Sequence, residues 1–212
     1  MKAQVRVNYQ KKLDEIINNM IKKDKVGSPP SLLLHSCCAP CSSYVLFYLS
    51  KYFKITVFYY NPNIRPFEEY IRRLEEQKLF IKNFNLNLDL KNKINLIEGS
   101  YDKDFYEYYK GLESEPERGR RCLVCYYQRL LKTACLAREY NYNYFTTTLT
   151  ISPHKDAQVI NNLGEQLEKK YNIKYLYSDF KKKEGYKKSI ELSKKYNLYR
   201  QDYCGCIFSK NN

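Results

Sequence analysis

The chain has 212 residues and no run of about 18 apolar ones, which argues against a membrane-spanning helix. The segment from Met1 to Lys25 is polar, with scattered lysines and no continuous apolar stretch, so it does not read as a secretory signal. The expected compartment is the cytoplasm, where thiols stay reduced and structural disulfides are rare. Acidic residues are in short supply. The 23 Asp and Glu face 37 Lys and Arg, leaving a formal charge of +14. A surface of that sign attracts polyanions, nucleic acid first among them. Codon bias toward Lys, Asn, Ile and Tyr is the plainer explanation of the same composition. The 23 tyrosines suit base stacking, but also a core and a wet surface. There is no internal repeat at a fixed period.

Cysteine, by contrast, is abundant and clustered. Seven of the eight cysteines form three knots: Cys37-Cys38-Ala39-Pro40-Cys41, Cys122-Leu123-Val124-Cys125 and Cys204-Gly205-Cys206. In a reducing compartment such knots point to metal ligands or redox-active thiols.

The spacing of apolar residues predicts alternating strands and helices. An amphipathic helix over Val7 to Lys23 carries Leu13, Ile16, Ile17, Met20 and Ile21 on one face. Gly27-Ser28-Pro29-Pro30-Ser31 ends it, so residues 1–30 are expected to form a helical extension on a single domain spanning 31–212. Strands are predicted at Leu32–His35, Ile55–Tyr60, Asn95–Glu98, Tyr144–Thr148 and Ile173–Tyr177. Helices are predicted at Pro40–Lys51, Pro66–Phe84, Asp102–Lys110, Cys122–Tyr140, His154–Tyr171 and Gly185–Asn197. This alternation indicates an α/β, Rossmann-like parallel sheet with helices on both faces. Ligands of such sheets bind beyond the carboxyl ends of the strands. The first cysteine knot, Asn61-Pro62, Tyr101-Asp102 and Leu149 to Lys155 should therefore face one crevice.

Cys122 and Cys125 stand one helical turn apart, at a helix N-terminus that stabilises thiolates. The turn after strand one can aim Cys37 and Cys38 at the same point. Four thiolates from two knots suit zinc or an iron–sulfur cluster, and unliganded thiols are a third reading. A Cys-Cys-x-x-Cys hook at the ligand-binding point of the fold favours the cluster. Cys41 either reaches the same centre, holds a second metal beside it, or is a plain buried thiol. Cys135 lies in an apolar stripe and reads as core. Cys204 and Cys206 can close only a small, strained ring across Gly205, which favours a labile redox pair over two further metal ligands.

Taken together, these knots and the motifs around them resemble the QueH-type epoxyqueuosine reductases. The match runs from Leu32 to Ser209. It is carried by His35 to Cys41, Tyr59 to Ile64, Glu117-Arg118-Gly119 with Arg121-Cys122 and Cys125-Tyr126, Arg129-Leu130, Phe145 to Leu149, Ser152-Pro153 with Lys155, and Tyr199 to Gln201 running into Tyr203 to Cys206. The resemblance implies a fold related to the adenine-nucleotide alpha hydrolases. It implies reduction of epoxyqueuosine to queuosine at the tRNA wobble position. It also implies a [4Fe-4S] cluster on Cys37, Cys38, Cys122 and Cys125, with Cys204 and Cys206 as the redox-active pair. A second metal, a mononuclear iron, is compatible with the family, with Cys41 as a candidate ligand.

Opening an epoxide to an alkene takes two electrons and two protons and releases water. Asp102, Tyr101 and Tyr203 are candidate proton donors or supporting groups, with ordinary hydrogen bonding as the alternative. His35 is either a ligand's support or a satisfied core histidine. Arg118, Arg120, Lys155 and Arg200 lie near the expected crevice and are candidate contacts to the tRNA anticodon stem-loop. Lys181-Lys182-Lys183, Lys187-Lys188 and Lys194-Lys195 form either a phosphate-binding surface or a solvated face. An electron donor of unspecified identity is implied. Two rivals are weighed. An ATP-dependent tRNA-modifying enzyme would need a glycine-rich phosphate loop, and Ser36 to Ser42 contains no glycine. A zinc-stabilised RNA-binding module would bind colourless metal and catalyse nothing.

Overall fold

The computed structural model describes residues 6–23, 28–88 and 93–209. Its strands are β1 (Ser31–His35), β2 (Lys54–Tyr59), β3 (Asn95–Glu98), β4 (Tyr144–Thr147) and β5 (Lys174–Tyr175). They form one all-parallel sheet in the order β3-β2-β1-β4-β5. The helices among the described residues are α1 (Tyr9–Lys23), α2 (Ala39–Leu49), α3 (Phe67–Leu86), α4 (Arg120–Glu139), α5 (Ala157–Tyr171) and α6 (Gly185–Lys195). None is long and apolar enough to cross a membrane.

The strand sequences dictate helices on both faces. Successive residues of a strand point to opposite sides. Leu32 and Leu34 of β1 join Ile55 and Val57 in one apolar cluster, while Leu33 joins Phe58 and Phe145 in another. A strand buried on both sides reads as a continuous apolar run, as Leu32-Leu33-Leu34 does. The first cluster is closed by Leu46 and Leu49 of α2 and by Phe80, Ile81 and Phe84 of α3. The second is closed by Leu130, Ala134 and Ala137 of α4 and by Ile160 and Leu167 of α5. Helix α6 packs on α2. Helix α1 gives Leu13 and Ile17 to the first cluster and Tyr9 to the second. Residues 1–5 and 24–27 of the expected N-terminal extension lie outside the described residues.

The chain winds outward from β1 through β2 to β3, then returns to the other side of β1 for β4 and β5. Strand order thus reverses between β1 and β4, and a crevice opens at their carboxyl ends. His35 and Thr147 are register partners at that edge. Just beyond it, the backbone N–H of Cys37 donates to Thr148 Oγ1 at 3.2 Å. The topology therefore delivers the first cysteine knot and the segment after β4 to one place.

Three elements differ from the sequence expectation in type or by three residues, while the bounds of the others shift by at most two. Residues Lys103–Tyr109 form a 3-10 helix rather than an α-helix. Side chains three apart eclipse in that form, and here they pair as edge-on rings, Phe105 with Tyr108 at 5.6 Å and Tyr106 with Tyr109 at 5.3 Å. Helix α5 begins at Ala157, not His154, because Asp156 caps it by accepting from Gln158 N at 2.8 Å. Strand β5 has two residues instead of five: Lys174 and Tyr175 pair with Tyr144 and Phe145, and beyond them the Thr146 side chain, donating to Leu176 O at 2.7 Å, takes over from the ladder.

Candidate functional site

Strand β1 ends at His35, and α2 starts at Ala39 with Pro40 in its first turn, where a missing N–H costs nothing. The turn between them holds Cys37 and Cys38, whose sulfurs are 3.8 Å apart. The sulfurs of Cys37, Cys38 and Cys41 all lie within 4.8 Å of one another, so this group can hold a metal ion. It sits at the N-terminus of α2, whose dipole favours negative charge. Hydrogen bonds from the Cys38 and Cys41 thiols hold Cys37 well below the ordinary thiol pKa against the opposing effect of burial, with Lys155 and Arg129 assisting. Sharing with Cys37 pushes Cys38 up to about 12 and Cys41 well above its usual value. Of the three, Cys37 is therefore the most acidic.

Helix α4 presents the second knot. Gly119 is its N-cap residue, and Cys122 and Cys125 lie in its first turns. Burial raises Cys122, while the backbone N–H of Arg118 donates to its sulfur at 3.3 Å. Cys37, Cys41, Cys122 and Cys125 line one cavity of about 290 Å³, together with Cys204 and Cys206 from the tail. Cys38 touches Cys37 from the protein side, 1% exposed, and accepts from Gln201 Nε2 at 2.8 Å. The fold therefore gathers all three knots. Cys135 is half-buried on α4 and does not belong to the lining. All eight cysteines are free thiols.

The charges around this cavity are unusual. Arg129 is 4% exposed, yet its guanidinium meets Asn61 Oδ1 at 2.5 Å, His35 Nε2 at 3.3 Å and Cys125 Sγ at 3.8 Å. Among the described residues it has no carboxylate partner. Lys155 has none either. Burial acts to lower its pKa, but Cys204, Tyr126, Cys37 and Cys41 outweigh that and raise it. Arg121, 4% exposed, donates from Nη1 to the carbonyls of Leu112, Glu113 and Glu115, leaves its buried Nε without a hydrogen bond and lies 4.2 Å over the Phe208 ring. Buried cations need anionic partners. Glu117 and Asp202 also line the cavity but form no ion pair with these cations among the described residues, which leaves the thiols as the nearest groups able to carry negative charge. Two helix N-termini, α2 and α4, add to the same field. A donor set of soft thiolates inside a cationic shell fits an anionic metal–thiolate centre.

The remaining expected site residues are placed as follows. His35 is fully buried, with Nδ1 2.8 Å from Thr147 Oγ1, and burial followed by the charge of Arg129 pushes its pKa down to about 3. It is a neutral strut between β4 and Arg129. Asp102 caps its own 3-10 helix by accepting from Asp104 N at 3.0 Å, and the cavity lining does not include it. Tyr101 donates to Ile64 O at 3.0 Å and accepts from Arg65. Tyr203 lines the cavity and donates to Arg65 O at 2.9 Å. Arg118 is exposed at the rim, 3.4 Å from His154 Nδ1, with a left-handed backbone at φ 72°. Arg120 pairs with Glu115 at 2.6 Å. Arg200 is exposed, lines the cavity and donates to Ser193 Oγ at 3.2 Å. Lys155 is part of the cavity wall and interacts with thiols.

Sequence reasoning assigned no role to Arg73, Tyr109 or Arg129. All three line the cavity and are buried. For Arg129 a signal existed, since it follows Cys125 by four residues and so shares its helix face. Arg73 gave no such signal, because its spacing from Glu69 looks like an exposed i,i+4 pair. Tyr109 brings a buried hydroxyl beside Cys125 with no hydrogen bond of good geometry.

Comparison with known proteins agrees with this geometry. Residues 32–212 match the family model described as epoxyqueuosine reductase QueH. A relative of that name from Staphylococcus epidermidis is 44% identical over 207 residues, covering 96% of this chain and 85% of its own. One from Streptococcus pyogenes serotype M1 is 43% identical over 211 residues, 99% of this chain and 80% of its own. A more distant one from Thermotoga maritima is 34% identical over 183 residues, 84% of this chain and 90% of its own. The alignments at 96% and 99% coverage extend into α1, so the resemblance does not begin at Leu32. On fold, cysteine geometry and sequence together, the chain belongs to the epoxyqueuosine reductase QueH family.

Proposed function

We propose that this protein reduces epoxyqueuosine at the wobble position of tRNA to queuosine in the cytoplasm. The observation that carries the reading is the meeting of three cysteine knots in one cavity beside Arg129 and Lys155, two cations without a carboxylate partner among the described residues. The family name of the relatives supplies the reaction.

On this reading Cys37, Cys38, Cys122 and Cys125 hold a [4Fe-4S] cluster, and Cys41 holds a second, mononuclear iron beside it. When bound, such a centre supplies electrons and polarises a C–O bond. Arg129 and Lys155 balance the thiolate charge, and Tyr203 lies close enough to the cavity to hold a proton. The Cys204–Cys206 dithiol supplies the reducing equivalents. Its oxidation to a disulfide releases two electrons and two protons, the number consumed when the epoxide becomes an alkene and water. An external electron donor returns the disulfide to the dithiol. Arg118 and Arg200 at the rim grip phosphates of the anticodon stem-loop, while the flipped base enters the cavity. Lys155, deeper in, reaches the base rather than a phosphate.

The test is purification without air, followed by an assay on tRNA carrying epoxyqueuosine. A brown protein with acid-labile sulfide and a modest excess of iron over it, as a [4Fe-4S] cluster plus one mononuclear iron requires, converting that base to queuosine, is the expected result. A colourless, zinc-loaded protein with no turnover would overturn it.

A further inference from the structure

The Cys204-Gly205-Cys206 loop is held by α3, and one side chain does most of the holding. Arg73 is 1% exposed. Its Nε meets Glu69 Oε1 at 2.6 Å, with Glu69 only 11% exposed, and its Nη2 donates to the carbonyl of Tyr203 at 3.3 Å. Its guanidinium also lies 5.0 Å from the centre of the Tyr203 ring. The residue it grips is therefore the one directly before Cys204.

The same helix face holds the tail further upstream. Glu76 accepts from the backbone N–H of Tyr199, Glu69 accepts from the Tyr199 hydroxyl at 3.3 Å, and Arg72 lies 3.5 Å over the Tyr199 ring. Glu69, Arg72, Arg73 and Glu76 recur at three- and four-residue spacing, which places them on one side of α3. On the other side of the loop, Arg65 N donates to Gly205 O at 2.8 Å. Gly205 itself is fixed in the left-handed region at φ 100°. A Cβ there would come within 2.8 Å of Ile64 Cγ1 and 3.1 Å of Arg73 Nη1.

We infer that Arg73, anchored by Glu69, is a positioning residue that holds the Cys-Gly-Cys loop in its open, dithiol form at the cavity wall. This rests on the redox reading of Cys204 and Cys206. The guanidinium fork is needed because one arm is occupied by Glu69 while another reaches the Tyr203 carbonyl. Closing the Cys204–Cys206 bond moves the backbone on both sides of Gly205, against these two hydrogen bonds. The clamp thus stabilises the dithiol over the disulfide. It keeps both reducing equivalents at hand until substrate draws them off.

The experiment equilibrates the holoprotein with mixtures of reduced and oxidised glutathione. The Cys204/Cys206 peptide is then counted as dithiol or disulfide by acid quench, alkylation and mass spectrometry. Oxidised glutathione is the oxidant, and two glutathione thiols form for each disulfide made. Arg73→Gln is expected to shift the equilibrium toward disulfide about tenfold, the effect of losing a hydrogen bond from a charged donor. Its kcat falls while KM for tRNA is unchanged. Arg73→Lys, which keeps the charge and loses the fork, shifts the same way. Gly205→Ala, whose Cβ would press on Ile64 Cγ1 and Arg73 Nη1 while keeping the Arg73 and Glu69 side chains, serves if Arg73→Gln does not fold. Wild-type equilibria in Arg73→Lys and Gly205→Ala would overturn the inference. Normal turnover by Cys204→Ala would instead overturn the redox reading, whatever the glutathione equilibrium shows.

Discussion

Two regions of this molecule bury an arginine beside the same cavity, and they neutralise it in different ways. On α3, Arg73 is matched by Glu69 at 2.6 Å, with side chains 2% and 11% exposed. On α4, Arg129 meets an amide, an imidazole and a thiol, none of which carries a fixed negative charge. Burial acts to lower its pKa, and Cys125, Cys37 and Cys204 raise it above the usual value. The α3 region is electrostatically complete as folded. The α4 region is complete only when its thiols are anionic, which is the state a metal demands. One arginine belongs to the scaffold, the other to the centre.

The largest blow to this contrast comes from the thiols themselves. Cys37→Ala and Cys122→Ala each remove an anionic partner from the α4 region, and both are expected to lose bound metal and turnover completely. Metal analysis alongside the tRNA assay checks this. Cys135→Ala, on the same helix but outside the lining, should keep both. Loss of metal in Cys135→Ala and retention in Cys122→Ala would dissolve the distinction.

The two arginines should then behave oppositely in the metal-free protein. Arg73→Met leaves Glu69 buried without its partner and is expected to cost about 3–5 kcal/mol in urea unfolding. The double variant with Glu69→Met should recover most of that, because removing both members of a buried pair is commonly near neutral. Arg129→Met leaves no carboxylate stranded. It loses hydrogen bonds but relieves an unbalanced charge, so it should cost only about 1 kcal/mol. Loading with metal is expected to reverse the order. Binding stabilises the wild type by linkage, and that gain should shrink clearly in Arg129→Met and stay in the double variant. Equal gains in both proteins would show that Arg129 does not serve the centre.

Much of this architecture is legible in the sequence. The strand after which Cys37 and Cys38 fall, the helix that starts just before Cys122, and the crevice rule for parallel sheets place two knots together from sequence alone. The β3 boundaries, Asn95–Glu98, agree with the expectation residue for residue. Burial of charge is what stays hidden. Arg73 with Glu69 and Arg129 with Cys125 are both i,i+4 patterns, and spacing does not distinguish an exposed pair from a core one. Lys155 is expected to contact tRNA; the structure places it half-buried in the cavity wall near Cys204, Tyr126 and Cys37, and spacing gives no sign of that burial. Long-range partners are equally invisible. Lys183 is taken by Asp14 at 2.7 Å from 169 residues away, and Lys181 by a local partner, Asp179, at 2.6 Å. Only part of that lysine run is left for a polyanion.

That partition of lysines yields the smallest effect and the finest test of the contrast between scaffold charge and working charge. Lys182, Lys194 and Lys195 have no ion pair among the described residues, while Lys181 and Lys183 do. Each free cation that touches a phosphate releases counterions on binding, so its loss lowers the salt slope of tRNA affinity by about one unit. Arg118→Ala and Arg200→Ala at the rim should each show this, with affinity falling several-fold. Lys182→Ala should show it more weakly, since Lys182 lies in the turn before α6 and is not part of the cavity lining, which α6 reaches only through Tyr186 and Ser189. Lys183→Ala should leave the slope unchanged and lower stability slightly, because its partner is a carboxylate of α1. If Lys183 and Arg118 gave equal slopes, the positive charge would act as a diffuse field. If they differ as stated, tRNA is held at the rim of the cavity, and the lysines tied to Asp14 and Asp179 serve the fold.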